Sequence, residues 1–529
     1  MTTSLRLRPL ALGFALALAA PLAGADFDLL IVGGHIYDGR GGAPVRADVG
    51  VKDGRIVQIG ELSAAAATQR IEATGLAVAP GFIDLHAHLD PLPQLPAAES
   101  ALRQGVTTAL GGPDGGGPWP FAAYLANIEQ LPIGLNVAYL AGHNSIRRAV
   151  MKLVNRAPTP AEQAQMEALL EECMREGAFG LSTGLKYLPG TFAQIDEVIA
   201  LSRVAARHGG IYTSHLREEG TGLIPAVEEA IEIGRAAGLP VVLTHHKVIG
   251  QPSWGASVQT LALVDAARAR GQDVMIDQYP YTASYTGISV LIPNWALAGG
   301  PKAFRTRLAE NDPRAKIKAE IVHAILTDRG AGDVSRIQFS KVEWKRDLEG
   351  RTLHDWCLER DLEPTAENGA ELVMEAESAG GAGCIFHAMD DADVERIMRH
   401  PQTMIASDGR LAQPGKEMPH PRAYGTFPRV LGHYVREKQV LTLENAINKM
   451  TQMPAQRLGL ADRGEIAVGF VADLVVFDPA TVRDRATFTD PHQYPEGIPF
   501  VVVNGTVAVA DGQLTSARAG RVLRHVSHQ

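Results

Sequence analysis

Ala79-Pro80-Gly81-Phe82-Ile83-Asp84-Leu85-His86-Ala87-His88-Leu89-Asp90-Pro91 is the stretch on which the reading of this 529-residue chain turns. Residues 82–85 read as a short buried strand, a largely apolar run bounded by Pro80-Gly81 before it and polar residues after it. His86 and His88 sit two apart, so on an extended backbone both imidazoles leave the same face. They form half a metal site, or they are two core or surface histidines whose spacing coincides. The rest of the chain decides between these by supplying the other half or failing to.

Beyond this stretch, short apolar runs alternate with helical ones, the pattern of a parallel sheet. Strands are expected at 83–85, 106–110, 135–141, 179–182, 211–214, 241–244, 274–277 and 404–406, with helices at 160–176, opening after Thr159, and at 223–237. Eight such strands predict a closed (β/α)8 TIM barrel, an α/β fold whose chemistry sits at the C-terminal ends of the strands. A doubly wound open sheet is the alternative, and no G-x-G-x-x-G follows the first strand to favour it. The eighth strand is delayed far beyond what a crossover needs, so 283–383, with Trp295, Trp344 and Trp356, is expected to be an inserted subdomain over the barrel mouth.

The two ends differ in texture from the middle. Short β-like runs near the start alternate with Gly33-Gly34, Gly41-Gly42 and Asp53-Gly54, and near the end with Asn504-Gly505 and Asp511-Gly512. They are expected to pair into one small β-sandwich domain, 26–80 with 465–520, around a barrel of 81–282 and 384–464. Two unrelated β appendages are the other reading.

Residues 1–25 carry Arg6 and Arg8, an apolar run from Leu10 to Leu22 and the small-x-small triplet Ala23-Gly24-Ala25, as a secretory signal does. No other run reaches membrane length, so the expectation is a soluble protein exported to the periplasm or medium. Removing Arg6 and Arg8 takes the net charge from −9 to −11, which argues against nucleic acid and leaves a small-molecule substrate. Cys173, Cys357 and Cys384 lie far apart, allowing one disulfide at most and no cysteine-based zinc framework. With 46% hydrophobic residues, the chain has material for a large core instead.

If His86 and His88 bind metal, the other ligands must fall where strand ends converge. The fifth strand runs Tyr212-Thr213-Ser214-His215, the sixth Val242-Leu243-Thr244-His245-His246 and the eighth Ile405-Ala406-Ser407-Asp408-Gly409. His215 and His245 are one βα repeat apart, in equivalent places on neighbouring strands. Five matching positions make coincidence a poor account of them. Imidazole and carboxylate suit zinc, which in a catalytic site keeps a position open for water and lowers that water's pKa. Asp408 is placed to accept that proton and later to return it, as general base and then acid.

These residues, with Thr-Ser-His-Leu-Arg, Leu-Thr-His-His-Lys, Ser-Asp-Gly and His420-Pro421-Arg422-Ala423-Tyr424-Gly425-Thr426-Phe427, resemble the amidohydrolase superfamily and, within it, the D-aminoacylase branch. The resemblance covers essentially the whole chain after the leader. It implies one or two zinc ions per chain and hydrolysis of the amide of N-acyl-D-amino acids or small peptides with a D-residue. Dipeptide or cyclic-amide hydrolysis on the same metals is the alternative, and a binding protein on an inactive barrel the rival from another class.

One departure stands out. Where the family has Gly-Asn-Cys-Gly with a ligand cysteine, this chain has Asp114, either a ligand or a turn residue before three glycines. Lys186 lies just past the fourth strand, where related amidohydrolases carry a carboxylated lysine bridging two metals, or it is a solvated loop residue. His143, past the third strand, either assists the oxyanion or is structural. By resemblance, Lys247, Tyr279 and Arg422 grip the substrate carboxylate, with Tyr281 and Arg410 as competitors and Arg217 as a supporting residue.

Overall fold

The computed structural model describes residues 25–526, so the expected leader, apart from its last residue, lies outside the described residues. Five strands at the start, Phe27–Ile36, Val45–Lys52, Arg55–Gly60, Ala67–Glu72 and Ala77–Pro80, join four from the end, Leu474–Phe477, Phe500–Val503, Thr506–Ala510 and Gln513–Leu514, in one nine-stranded sheet. The seam is antiparallel, with Leu474 opposite Pro80 and Phe477 opposite Ala77. The sheet folds over a core drawn from both ends, in which Leu29, Ile31, Val49 and Ile71 pack with Val476 and Val502. The hairpin turns at Asp53-Gly54, Asn504-Gly505 and Asp511-Gly512 fall where expected, whereas Gly33-Gly34 lies inside the strand Phe27–Ile36, at an irregularity in its pairing with Val45–Lys52. Asp53-Gly54, Asn504-Gly505 and Asp511-Gly512 all have positive φ at both residues, the backbone that such tight turns require.

Pro80 leads directly into the barrel, whose strands are β1 (Phe82–Asp84), β2 (Val106–Gly111), β3 (Asn136–Tyr139), β4 (Gly180–Gly184), β5 (Ile211–His215), β6 (Val241–Leu243), β7 (Val274–Gln278) and β8 (Thr403–Ile405). Pairing is parallel throughout; β3 meets β4 through Ala141 and Gly142 just beyond its end. The circle closes past the end of β8, where the Asp408 N–H donates to the His86 carbonyl at 2.8 Å and Gly409 pairs with Ala87. Ile83, Leu110, Ala138, Phe179, Ile211, Val242, Met275 and Met404 fill the barrel interior, one from each strand or, for Phe179, from the residue just before it, and floor the site above them. The helix Pro160–Arg175 starts where expected because Thr159 and Glu162 cap its free N–H groups reciprocally.

Between β7 and β8 stands a subdomain with its own core, in which Ile317, Ile321, Phe339, Trp356 and Val373 pack together. Its sheet runs Ser284–Gly287, Gly383–Phe386, Ile337–Lys341, antiparallel throughout. The third strand in sequence crosses the expected boundary at 383. Gly383-Cys384-Ile385-Phe386 is an apolar run that reads equally well as barrel, and only its pairing to Ser284–Gly287 assigns it to the insertion.

Candidate metal centre

Six side chains from five strand ends meet at the top of the barrel. His86 and His88 follow β1, Asp114 follows β2, His215 ends β5, His245 follows β6 and Asp408 follows β8. Asp114, His245 and Asp408 have positive φ (54°, 37° and 48°), uncommon for residues with a Cβ. Backbone strain of this kind persists where surrounding contacts over-determine it. Here the His245 N–H donates to Asp277 Oδ1 at 2.6 Å and the Asp408 N–H to the His86 carbonyl.

Asp114 is the hub. Its Oδ1 lies 3.3 Å from His245 Nε2, 3.5 Å from His86 Nε2 and 3.8 Å from His215 Nδ1, and its Oδ2 lies 3.6 Å from His88 Nε2. Asp408 Oδ1 is 3.1 Å from His88 Nε2 and 3.5 Å from His86 Nε2. Two donor groups result, His86, His88, Asp114, Asp408 and Asp114, His215, His245, with Asp114 in both. Both ring nitrogens of His86 and Oδ1 of Asp114 are buried without a hydrogen-bond partner. Buried polar atoms are ordinarily satisfied, so a convergent set of orphaned N and O donors fits a cation such as zinc.

The electrostatics agree. Burial pushes His215 down to about 3, leaving the neutral imidazole that ligates metal. Burial and the Lys247 ammonium act against the charged form of His245, yet Asp114 and Glu219 raise it to about 9, so the carboxylates hold positive charge at this point. Burial raises the Asp408 carboxyl, but Arg422 and His86 outweigh it and keep the group ionised. Behind the donors, Asp84 accepts from the Ser407 N–H at 2.9 Å and hydroxyl at 2.5 Å and from the His86 N–H at 3.2 Å, tying β1 to β8; burial pushes its pKa up to about 6.

Two expected roles meet other geometry. Lys186 Nζ donates to both oxygens of Glu218, at 3.0 and 2.9 Å, and among the described residues no carboxylate of the donor groups is within ion-pair reach of it. The acidic residue shared by the two groups is Asp114. His143 is the first residue of the helix His143–Met151, fully buried, with Nε2 2.8 Å from Glu197, which also takes the Arg147 guanidinium. It supports the barrel wall and does not line the cavity. Arg217 likewise grips Glu229 and the Thr191 and Ala193 carbonyls.

Lys247, Tyr279 and Arg422 do come together, the Arg422 guanidinium 4.7 Å and Lys247 Nζ 5.6 Å from the Tyr279 ring centre. Lys247 is already engaged, with Nζ 2.5 Å from Glu219, 2.7 Å from His245 Nδ1 and 2.9 Å from the His245 carbonyl. Arg422 Nη1 lies 2.7 Å from Asp408 Oδ2 but off the line of a hydrogen bond, so this buried donor is unsatisfied. Arg422, Asp408, Asp114 and His88 line a cavity of about 570 Å³, walled on the other side by Thr286 and Ser340 of the inserted subdomain, with Arg410 at its exposed edge. Sequence reasoning missed Glu219, Arg329 and Asp277, which back the donors. Glu219 was within reach, an acidic residue only four past His215 in the loop after β5, whereas Arg329 carries no local signal.

The amidohydrolase family profile matches residues 327–509. The D-aminoacylase of Alcaligenes xylosoxydans xylosoxydans is 40% identical over 528 residues, spanning 94% of this chain and 97% of that protein. The crystal structure of N-acyl-D-glutamate deacylase from Bordetella bronchiseptica, complexed with zinc and a phosphonate mimic of the tetrahedral intermediate, is 37% identical with a TM-score of 0.80, over 94% of this chain and 99% of that one. A D-aminoacylase structure with a binuclear metal center is 38% identical with the same TM-score, over 94% of this chain and 100% of that one. The chain belongs to the amidohydrolase family, in its D-aminoacylase branch.

Proposed function

We propose that this chain is an exported, zinc-dependent hydrolase that removes the acyl group from N-acyl-D-amino acids. The observation that carries the reading is the pair of donor groups sharing Asp114, facing a cavity that also holds an unsatisfied arginine. His86, His88, Asp408 and Asp114 would hold one ion, and Asp114, His215 and His245 a second. Zinc bound there supplies Lewis-acid chemistry, polarising the acyl carbonyl and acidifying water. Asp408 works from the ionised form that Arg422 and His86 maintain; it takes a proton from the attacking water and gives it to the departing amine nitrogen. Arg422 fixes the α-carboxylate and aligns the scissile bond, and its burial makes that contact worth more than an exposed pair. Lys247, its donors taken by Glu219 and the His245 carbonyl, leaves the carboxylate to Arg422. The inserted subdomain closes one side of the cavity against water. The basic and apolar leader supports export.

The test is a hydrolysis screen of N-acetyl-D- and L-amino acids, mixed-chirality dipeptides and cyclic amides, on zinc-loaded and chelator-treated enzyme. Activity on N-acetyl-D-amino acids that is lost with zinc and restored by it is the expected result. Preference for cyclic amides or free dipeptides would sink the assignment.

A further inference from the structure

Glu219 ties together residues distant in sequence. Its side chain is 3% exposed, and its two oxygens meet four cationic or imidazole groups. Oε1 is 2.5 Å from Lys247 Nζ and 3.3 Å from His245 Nδ1; Oε2 is 3.7 Å from His215 Nε2 and 2.8 Å from Arg329 Nη2. The histidine atoms are the telling ones. His245 turns Nε2 toward Asp114 and Nδ1 toward Glu219, while His215 turns Nδ1 toward Asp114 and Nε2 toward Glu219. One carboxylate therefore faces the outward nitrogen of both imidazoles in the second donor group. A carboxylate there favours the proton on that nitrogen, fixing each tautomer and leaving the inward nitrogen free to ligate.

Arg329 brings the inserted subdomain into this arrangement. It stands just past the helix Asn311–Thr327, 2% exposed, and donates to Glu219 through Nη2 and to Ser284 Oγ through Nη1 at 3.0 Å. A buried arginine–carboxylate–lysine triad is expensive to desolvate and weak evidence for stability by itself. Its cost makes sense if it orients something.

We propose that Glu219 and Arg329 are positioning residues for the His215–His245 half of the metal centre, and that through them its metal affinity depends on how the inserted subdomain is seated. This rests on the reading that those histidines hold metal. Removing either residue leaves all six donors in place but frees the imidazoles to turn.

The test is the zinc dissociation constant of the full chain, read by competition with a chromophoric chelator. Glu219→Gln and Arg329→Gln are each expected to raise it about 10–100-fold, the range seen when a residue supporting metal ligands is lost. Arg147→Gln breaks another buried arginine–glutamate pair that touches neither histidine, and is expected to leave the constant unchanged. Arg329→Lys keeps the charge but not the two-pronged reach to Glu219 and Ser284, so its constant should fall between those of wild type and Arg329→Gln; it also serves if Arg329→Gln does not fold. Wild-type affinity in either Arg329 variant, or equal weakening in Arg147→Gln, overturns the inference. A wild-type chain that binds no zinc overturns instead the metal reading beneath it.

Discussion

Replacing Arg422 with methionine keeps most of the stem's volume and removes only the guanidinium. That group makes two separable contributions. Its Nη1 sits 2.7 Å from Asp408 Oδ2 and holds that carboxyl ionised, an effect every substrate feels. The same buried nitrogen has an unspent N–H, the one we assign to the substrate carboxylate. A hydrogen bond to a charged group contributes about 1.5–3 kcal/mol, and at about 1.4 kcal/mol per decade its loss lowers kcat/KM by about 10–150-fold. Only a substrate with an α-carboxylate pays this second loss. The assay is therefore a ratio, kcat/KM for N-acetyl-D-leucine over that for N-acetyl-D-leucinamide, in wild type and Arg422→Met. The ratio should fall by about 10–150-fold, while the drop shared by both substrates reports the effect on Asp408. An unchanged ratio would refute the clamp, and a collapse of the ratio in Arg410→Met instead would move it to the loop after Asp408.

Asp408→Asn should lower kcat by about 10²–10⁴-fold in steady-state assays with the fold intact, the usual loss when a general acid–base is removed; near-normal turnover would rule the role out. Asp114→Ala removes the donor common to both groups, so metal analysis after dialysis should find less zinc in each, and an unchanged content would contradict the shared role. Lys186→Ala should leave zinc content and kcat as they are, because its ammonium is spent on Glu218, and a lost ion would restore the bridging role. His143→Ala should lower the thermal midpoint by leaving the buried Glu197 short of a partner, with kcat retained; a selective kcat loss would return His143 to catalysis.

The barrel was legible because its strands are short, apolar and spaced at βα intervals, and because four histidines and Asp408 fall at strand ends, where the geometry of a barrel converges. What failed was resolution within loops. Lys186 is two residues past β4, close enough in sequence to suggest a ligand, yet its side chain is drawn to Glu218 on the neighbouring loop. For Asp114, three residues past β2, the two readings of ligand and turn residue both hold, since a left-handed turn among glycines carries it to the hub. His143 does follow the last pairing of the third strand, at Ala141 and Gly142, but it is the first residue of a helix that turns the imidazole to Glu197. Lys247 carried a role by resemblance that its contact with Glu219 takes up. Arg329 lies 110 residues from Glu219, and a contact of that range leaves no periodic trace.

The seam between the two chain ends bears on synthesis. Ala77–Pro80 pairs with Leu474–Phe477, so once it leaves the ribosome its partner follows only after roughly 400 further residues, or about 20–80 s at ordinary elongation rates. Throughout that interval the strand that feeds β1 has a bare edge, the kind that recruits foreign chains. Pro80 ends that strand without an N–H to offer, which blunts the edge where it enters the barrel. A chain cut short before Leu474 would keep all eight barrel strands and every donor, yet present this unpaired strand permanently and be lost to aggregation before its chemistry could be read.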